Sequence, residues 1–197
     1  MTGTYNIDAE RSGSLLAALG EHLAADGTSV QLVIVGGAAL LALGLVDRVT
    51  RDVDVVALRE GDELRSAEPF PAALARARDR VARDFSLPDD WLNAGPTDLL
   101  RFGLPQGFED RLSKRSFGPA LTVHFASRLD QIHFKLYAMV DQGPGRHEAD
   151  LRALEPSAGE LHVAALWTRT HDPSAGFRSE LILALRHLGF EDIDVGD

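Results

Sequence analysis

Two short groups of residues carry the chemistry that this sequence can support. The first is Gly36-Gly37, which directly follows an apolar run at residues 30–35. The second is Asp52 with Asp54, in a segment rich in valine. Because glycine has no side chain, a phosphate can approach the backbone there, and the N–H groups of a following helix favour an anion. Two neighbouring carboxylates repel each other unless they are exposed or bind a cation.

Carboxylate oxygens suit Mg²⁺, which usually binds one or two carboxylates together with the phosphates of a substrate. The two groups therefore predict a site for a nucleoside triphosphate with bound Mg²⁺. Transfer at such a site runs by in-line displacement, and the metal neutralises the developing charge. Each group alone has an ordinary explanation, a tight turn for the glycines and a solvated strand edge for the acids. Their order and separation favour the functional interpretation.

The elements that must position these groups follow from hydrophobic periodicity. Residues 30–35 predict a buried strand, residues 38–45 a short helix broken near Gly44, and residues 50–58 a second strand. Side chains alternate along a strand, so Asp52 and Asp54 leave the same face. The remaining pattern predicts a third strand at 121–126, helices at 9–25, 70–84, 129–140, 147–154, 157–170 and 176–188, and a loop-rich stretch at 86–120 with a short piece near 96–102.

The order of these elements predicts the fold class. Strands occupy the first two-thirds of the chain and helices the rest, which indicates an α+β fold with a mixed sheet flanked by helices and a helical C-terminal portion. We expect residues 1–128 to form the core that contains the sheet. Residues 129–197 form the helical portion, packed on the core as one structural unit.

Composition excludes several classes of protein. The 197 residues include no cysteine, which excludes disulfides, thiolate metal sites and cysteine nucleophiles. The net charge of −10 argues against a general nucleic-acid binder, although a local basic groove stays compatible with it. No apolar run approaches the length of a membrane helix, and the N-terminal segment lacks the pattern of a signal peptide. A cytoplasmic protein without membrane contact is the expectation.

The pattern of an apolar strand, Gly36-Gly37, a short helix and then residues 50–54 (Thr-Arg-Asp-Val-Asp) resembles the nucleotidyltransferase superfamily, which shares the DNA polymerase β-type palm. It is most similar to AbiEii-type toxin nucleotidyltransferases and related bacterial proteins. The likeness continues with Lys135 in Phe-Lys-Leu-Tyr-Ala and with Asp150 in Arg-His-Glu-Ala-Asp-Leu. It covers roughly residues 30–167 and includes the segments 88–93 and 156–161.

The resemblance implies a role for each matching residue. Gly36 and Gly37 would hold the triphosphate of an NTP, with Thr50 close to the transferred group. Asp52 and Asp54 would bind Mg²⁺. Two further residues, Lys135 and Asp150, would reach a phosphate and act as an additional acid near the reacting hydroxyl. Lys135 is one of only two lysines among 20 basic residues, and a compact ammonium suits a phosphate; a lysine on a half-exposed helix is the alternative explanation.

The resemblance also implies an acceptor and a partner. NMP would move from an NTP to an acceptor hydroxyl, with a tRNA 3′ end as the candidate acceptor and an antitoxin protein as the candidate partner. Many palm-type transferases have a third carboxylate on a later strand, where this sequence offers only His124. Two alternatives therefore stay open. One is nucleotidylation of a small molecule or a protein, and the other is a degenerate, non-catalytic module that binds a protein.

Overall fold

The computed structural model describes residues 5–196. Residues 1–4, at the start of the segment considered for a signal peptide, and Asp197 lie outside the described residues. The chain divides into two compact units. The sheet unit is Met1–Leu104 with Glu109–Ala126, and the helical unit is Pro105–Phe108 with Ser127–Asp197.

Six strands and three principal helices build the sheet unit. The strands are β1 (Val30–Val35), β2 (Val53–Glu60), β3 (Glu63–Arg65), β4 (Leu92–Asn93), β5 (Ser113–Phe117) and β6 (Leu121–Phe125). The helices are α1 (Ala9–Ala25), α2 (Gly36–Ala42) and α3 (Ala72–Asp84), with the short α4 (Leu99–Phe102) and two 3₁₀ turns at Gly95–Asp98 and Glu109–Arg111.

The sheet is mixed, with strand order β3-β2-β1-β6-β5, and β4 also pairs with β2. The β1–β2, β2–β3 and β5–β6 pairs are antiparallel, whereas β1–β6 and β2–β4 are parallel. The register between β1 and β2 shifts, because Ile34 pairs with Val55 and Val33 pairs with Ala57. Val56 is therefore an extra residue, which is a β-bulge.

One hydrophobic core holds α1 and α3 to the sheet. Its members share near-complete burial and come from one side of each central strand, including Leu32, Ile34, Val53, Val55, Leu58, Val123 and Phe125. Leu15, Leu19 and Leu23 of α1 follow the three-to-four spacing that a buried helix face requires. Trp91 is fully buried in the same core, and its Nε1 donates to the carbonyl of Arg78 at 3.2 Å.

The helical unit contains α5 (Arg128–Gln142), α6 (Gly145–Ala153), α7 (Ala158–His171) and α8 (Ala175–His187). Two capping boxes start its longest helices, Ser127 with Asp130 before α5 and Ser157 with Glu160 before α7. In each box the serine oxygen accepts from a backbone N–H of the first turn, which satisfies a donor that the helix itself leaves unpaired. No helix within residues 5–196 is both long enough and apolar enough to span a membrane.

The predicted fold class is confirmed, since a mixed sheet flanked by helices precedes a helical C-terminal part. The bounds of α1 and β1 agree with the prediction, and the capping box of α7 is confirmed. Helix α2 begins at Gly36, two residues earlier than predicted. Strand β2 begins at Val53 rather than at residue 50. Strands β3, β4 and β5 were not anticipated by the pattern.

Candidate functional site

Gly36 follows β1 and lies against the side chain of Asp54. Its backbone φ of +71° is the left-handed conformation that glycine adopts without strain. A Cβ added at Gly36 would lie 2.5 Å from Oδ2 of Asp54. The antiparallel register explains this approach, because Asp54 pairs with Val35, the residue before the glycine. Any side chain at position 36 would therefore displace the carboxylate.

Gly37 has the same relation to Thr50. A Cβ at Gly37 would lie 2.6 Å from Oγ1 of Thr50 and 2.9 Å from its Cβ. The Thr50 side chain is buried, and its Oγ1 donates to Oδ1 of Asp52 at 3.3 Å. Thr50 is held from the other side by Ile7, since each residue's N–H donates to the other's carbonyl at 2.8 Å. The two glycines therefore lie against both ends of the segment from Thr50 to Asp54.

Asp52 and Asp54 occupy alternate positions although only Asp54 lies within β2. Val53 and Val55 between and after them are fully buried in the hydrophobic core, whereas both aspartates are half-buried. The alternation therefore continues one residue before the strand and directs both carboxylates away from that core. This agrees with the expectation that the two acids share a face.

Asn93 fixes the orientation of Asp54. The parallel pairing of β4 with β2 sets Asn93 beside Asp54, and its Nδ2 donates to Oδ1 of the carboxylate at 3.2 Å. Its own Oδ1 accepts from the N–H of Gly95 at 2.9 Å, which fixes the amide. Asp54 is thus held by an amide on one oxygen and lies against Gly36 on the other.

A positive charge lies beside the glycine pair. Nη2 of Arg48 is 3.5 Å from the point that a Cβ of Gly37 would occupy, and Nη1 donates to the carbonyl of Val49 at 2.9 Å. Arg48 belongs to the connection between α2 and β2, two residues before Thr50. Guanidinium groups are well suited to phosphate oxygens.

His124 lies on β6, opposite Val33 of β1. Its Nε2 is hydrogen-bonded to Oε1 of Gln31 at 2.9 Å. Burial lowers the pKa of His124, and the positive charges of Arg59 and Lys114 lower it further. The imidazole is therefore held neutral, with a partner on the neighbouring strand.

Lys135 and Asp150 form a buried ion pair in the helical unit. Nζ of Lys135 on α5 is 2.7 Å from Oδ2 of Asp150 on α6, and the two side chains are only 8% and 0% exposed. Taking two charges out of water is costly, and a short contact of this kind offsets the cost only while both partners are present. The two residues that the resemblance grouped as phosphate ligand and acid are thus in direct contact.

The comparison with protein families adds a finding that the geometry alone does not give. The family model described as "nucleotidyltransferase of unknown function (DUF6036)" matches residues 14–144, more than half of the chain. The chain belongs to this family. Searches among curated proteins and among solved structures each found no match.

The DUF6036 match confirms the superfamily part of the resemblance. Its span contains the glycine pair, Thr50, both aspartates and Lys135, and it ends before Asp150. Within the sheet unit, the structure brings Gly36, Gly37, Thr50, Asp52 and Asp54 together. Within the helical unit, it brings Lys135 and Asp150 together. Their roles in binding and catalysis stay predictions.

The donor set of this DUF6036 member fits a hard cation and a phosphate chain. Two half-buried carboxylates share a face, and the adjacent glycines let the side chains of Asp54 and Thr50 lie directly against the backbone. Within residues 5–196, no group of three or more His, Asp or Glu side chains is arranged to hold a metal ion. Mg²⁺ commonly takes only one or two carboxylates and completes its octahedron with phosphates and water.

Sequence reasoning assigned no role to two residues of this region, Arg48 and Asn93, although the resemblance includes the segment 88–93. Asn93 lies in a two-residue strand that only its pairing with β2 reveals, although the apolar Trp91-Leu92 before it is a signal of a buried segment. Arg48 lies in the connection between α2 and β2, outside every motif named above, and no signal in the sequence marks it.

Proposed function

We propose that the chain is a Mg²⁺-dependent nucleotidyltransferase that moves NMP from an NTP to an acceptor hydroxyl. The observation that supports this most strongly is the contact of both glycines with the acid segment, Gly36 with Asp54 and Gly37 with Thr50. The contacts put a side-chain-free stretch of backbone and two carboxylates together where β1 ends and β2 begins. A triphosphate with a divalent cation requires both features.

In the proposed reaction, the oxygen of the acceptor hydroxyl attacks the α-phosphorus of the NTP. The bond from that phosphorus to the bridging oxygen breaks, pyrophosphate leaves, and the hydroxyl proton passes to a base. Bound Mg²⁺ supplies neutralisation of the charge on the phosphates. Asp52 and Asp54 hold the cation, Asn93 orients Asp54, and Arg48 offers a guanidinium to the phosphates.

Thr50 keeps the carboxylate of Asp52 in place through its hydroxyl. For Lys135 and Asp150, we retain the roles that the resemblance implies, a phosphate ligand and an acid near the hydroxyl. The contact between the Lys135 ammonium and the Asp150 carboxylate supports treating the two residues as one functional pair.

The resemblance to AbiEii-type toxins suggests a tRNA 3′ end as the acceptor, with the toxin half of a toxin–antitoxin pair as the biological role. A hydroxyl on a small molecule or on a protein is the second candidate. The net charge of −10 favours this second candidate, because a polyanionic acceptor is repelled at long range.

The decisive experiment measures which phosphate of the NTP is transferred to an acceptor. The protein is incubated with Mg²⁺, total tRNA and each NTP labelled at the α- or the γ-phosphate. We expect label from the α-phosphate in an acceptor, none from the γ-phosphate, and no incorporation in excess EDTA. Label on the protein itself or in the small-molecule fraction would identify the second class of acceptor.

Asp52→Ala should lower incorporation by at least about 100-fold, because the cation loses one of its two carboxylates. Asp62→Ala is the matched control, since it removes a fully exposed carboxylate just after β2 in the same unit. Equal incorporation by wild type and Asp52→Ala would remove this site from the reaction. Absence of α-label from every acceptor would favour the non-catalytic binding module. For the toxin role, expression of wild type but not of Asp52→Ala should arrest growth.

A further inference from the structure

The N-terminal segment runs beside the residues that carry the acids. Ile7 and Thr50 exchange both backbone hydrogen bonds, which is the pattern of an antiparallel pair. Tyr5 lies two residues before Ile7 and Asp52 two residues after Thr50, so both residues lie on the same side of this isolated bridge.

The hydroxyl of Tyr5 is buried and has no hydrogen-bond partner in the part of the chain that the structure describes. The ring packs against the core of the sheet unit, and the guanidinium of Arg11 lies 5.1 Å from the ring centre. The ring thus contacts both the core and Arg11, while its hydroxyl has no partner among residues 5–196. Buried hydroxyls in folded proteins nearly always have a partner, so this exception requires an explanation.

The electrostatic surroundings of Tyr5 point to the same neighbour. Burial raises the pKa of the Tyr5 hydroxyl to about 12, Arg11 acts against that rise, and the negative charge of Asp52 adds to it. A phenol hydroxyl can donate one hydrogen bond.

We propose that Tyr5 is a positioning residue that donates its hydroxyl proton to the carboxylate of Asp52 when that carboxylate binds a divalent cation. The inference rests on the proposed function. Thr50 already donates to Oδ1 of Asp52, and an ionised carboxylate accepts several hydrogen bonds while a further lone pair binds a cation. A second donor fixes the Asp52 carboxylate in one orientation, so the carboxylate is already oriented for binding when the cation arrives.

This role predicts opposite effects of Tyr5→Phe on stability without metal and on affinity for Mn²⁺. Without metal, the variant loses only an unsatisfied hydroxyl, so its thermal midpoint should stay equal to that of wild type or rise by about 2–4 °C. With metal, the variant lacks the donor that orients Asp52, and its affinity for Mn²⁺ should fall by about tenfold. A purely structural role would move both quantities in the same direction.

The test uses the full chain, Mn²⁺ alone as the probe, and electron paramagnetic resonance to count the free ion. Thermal midpoints are measured in EDTA. Tyr137→Phe is the matched control, because Tyr137 is the only other tyrosine in the sequence and lies in the helical unit. It should leave Mn²⁺ affinity unchanged. Asp52→Ala in the same titration reports whether the measured site is the proposed one.

Three outcomes separate the proposals. If Mn²⁺ binding depends on Asp52 and Tyr5→Phe binds as tightly as wild type, the role of Tyr5 is wrong and the proposed function stands. A metal-free thermal midpoint of Tyr5→Phe that falls below wild type also overturns the role, since the hydroxyl would then be stabilising without a cation. If wild type and Asp52→Ala bind Mn²⁺ equally, both proposals fail together.

Discussion

Gly36→Ala is the substitution for which the structure gives the sharpest expectation. The new methyl group would lie 2.5 Å from Oδ2 of Asp54 and 3.4 Å from its Cγ. The backbone at Gly36 has a φ of +71°, which an alanine adopts only with strain. The substitution thus combines two separate costs, one in the backbone and one at the carboxylate.

Each cost has a typical size. A left-handed backbone costs a residue with a Cβ about 1–2 kcal/mol. Forcing an extra methyl group into a filled space costs about 1–3 kcal/mol. Gly36→Ala should therefore lower the free energy of unfolding by about 2–5 kcal/mol, and the displaced Asp54 should also weaken Mn²⁺ binding and NMP transfer.

Gly44→Ala separates the two costs. Gly44 has a φ of +66°, nearly the same as that of Gly36, but a Cβ there would meet nothing within 4 Å. This control should lose only about 1–2 kcal/mol of stability and keep Mn²⁺ binding unchanged. The difference between the two variants then measures the contact with Asp54 alone.

The assay is urea denaturation followed by circular dichroism, with Mn²⁺ titration of each variant. In a double-mutant cycle, Asp54→Ala should relieve the contact in Gly36→Ala and restore about 1–3 kcal/mol. The reasoning is refuted if Gly36→Ala is as stable as Gly44→Ala and its effect simply adds to that of Asp54→Ala.

Two further predictions concern the helical unit. Lys135→Met should cost about 3–5 kcal/mol of stability, because it removes the ammonium that contacts the buried carboxylate of Asp150. Lys114→Met, at the only other lysine and on an exposed strand, should cost less than about 0.5 kcal/mol in the same thermal scans. An equal loss in both variants would contradict the burial of the pair. The side-chain hydrogen bond from Arg128 lowers the pKa of Glu160 from 4.5 to about 2, so its stabilising contribution is complete above pH 4.5 and is lost as the pH falls toward 2. The difference in thermal midpoint between wild type and Glu160→Gln should shrink over that interval, whereas a constant difference would exclude this contribution.

Elements with a strong hydrophobic period were predictable from the sequence. Helix α1 and strand β1 have the predicted bounds because apolar residues recur every three to four positions in one and run continuously in the other. Strand β5 was missed because its Ser-Lys-Arg-Ser-Phe sequence is polar and exposed, and only pairing with β6 makes it a strand. Polar side chains are typical of edge strands, which carry no inward-facing pattern.

The candidate site was predictable in its composition but not in its contacts. The glycine pair and the acid pair are visible in the sequence because each is a local signal. The contact of Gly37 with Thr50 and the hydrogen bond of Asn93 to Asp54 depend on strand register, which brings together residues far apart in the chain. The pairing of Ile7 with Thr50 is of the same kind, and a bend at Arg51 separates it from β2.

The extra residue at Val56 divides β2 into two parts, and the side chains that face the core change their alternation between them. Before it, Val53 and Val55 anchor the strand in the core, so Asp54 between them is turned toward Gly36. After it, the alternation restarts and Leu58 reaches the core from a position that an unbroken strand would turn outward. The bulge thereby lets a single strand direct Asp54 toward Gly36 before Val56 and Leu58 toward the core after it.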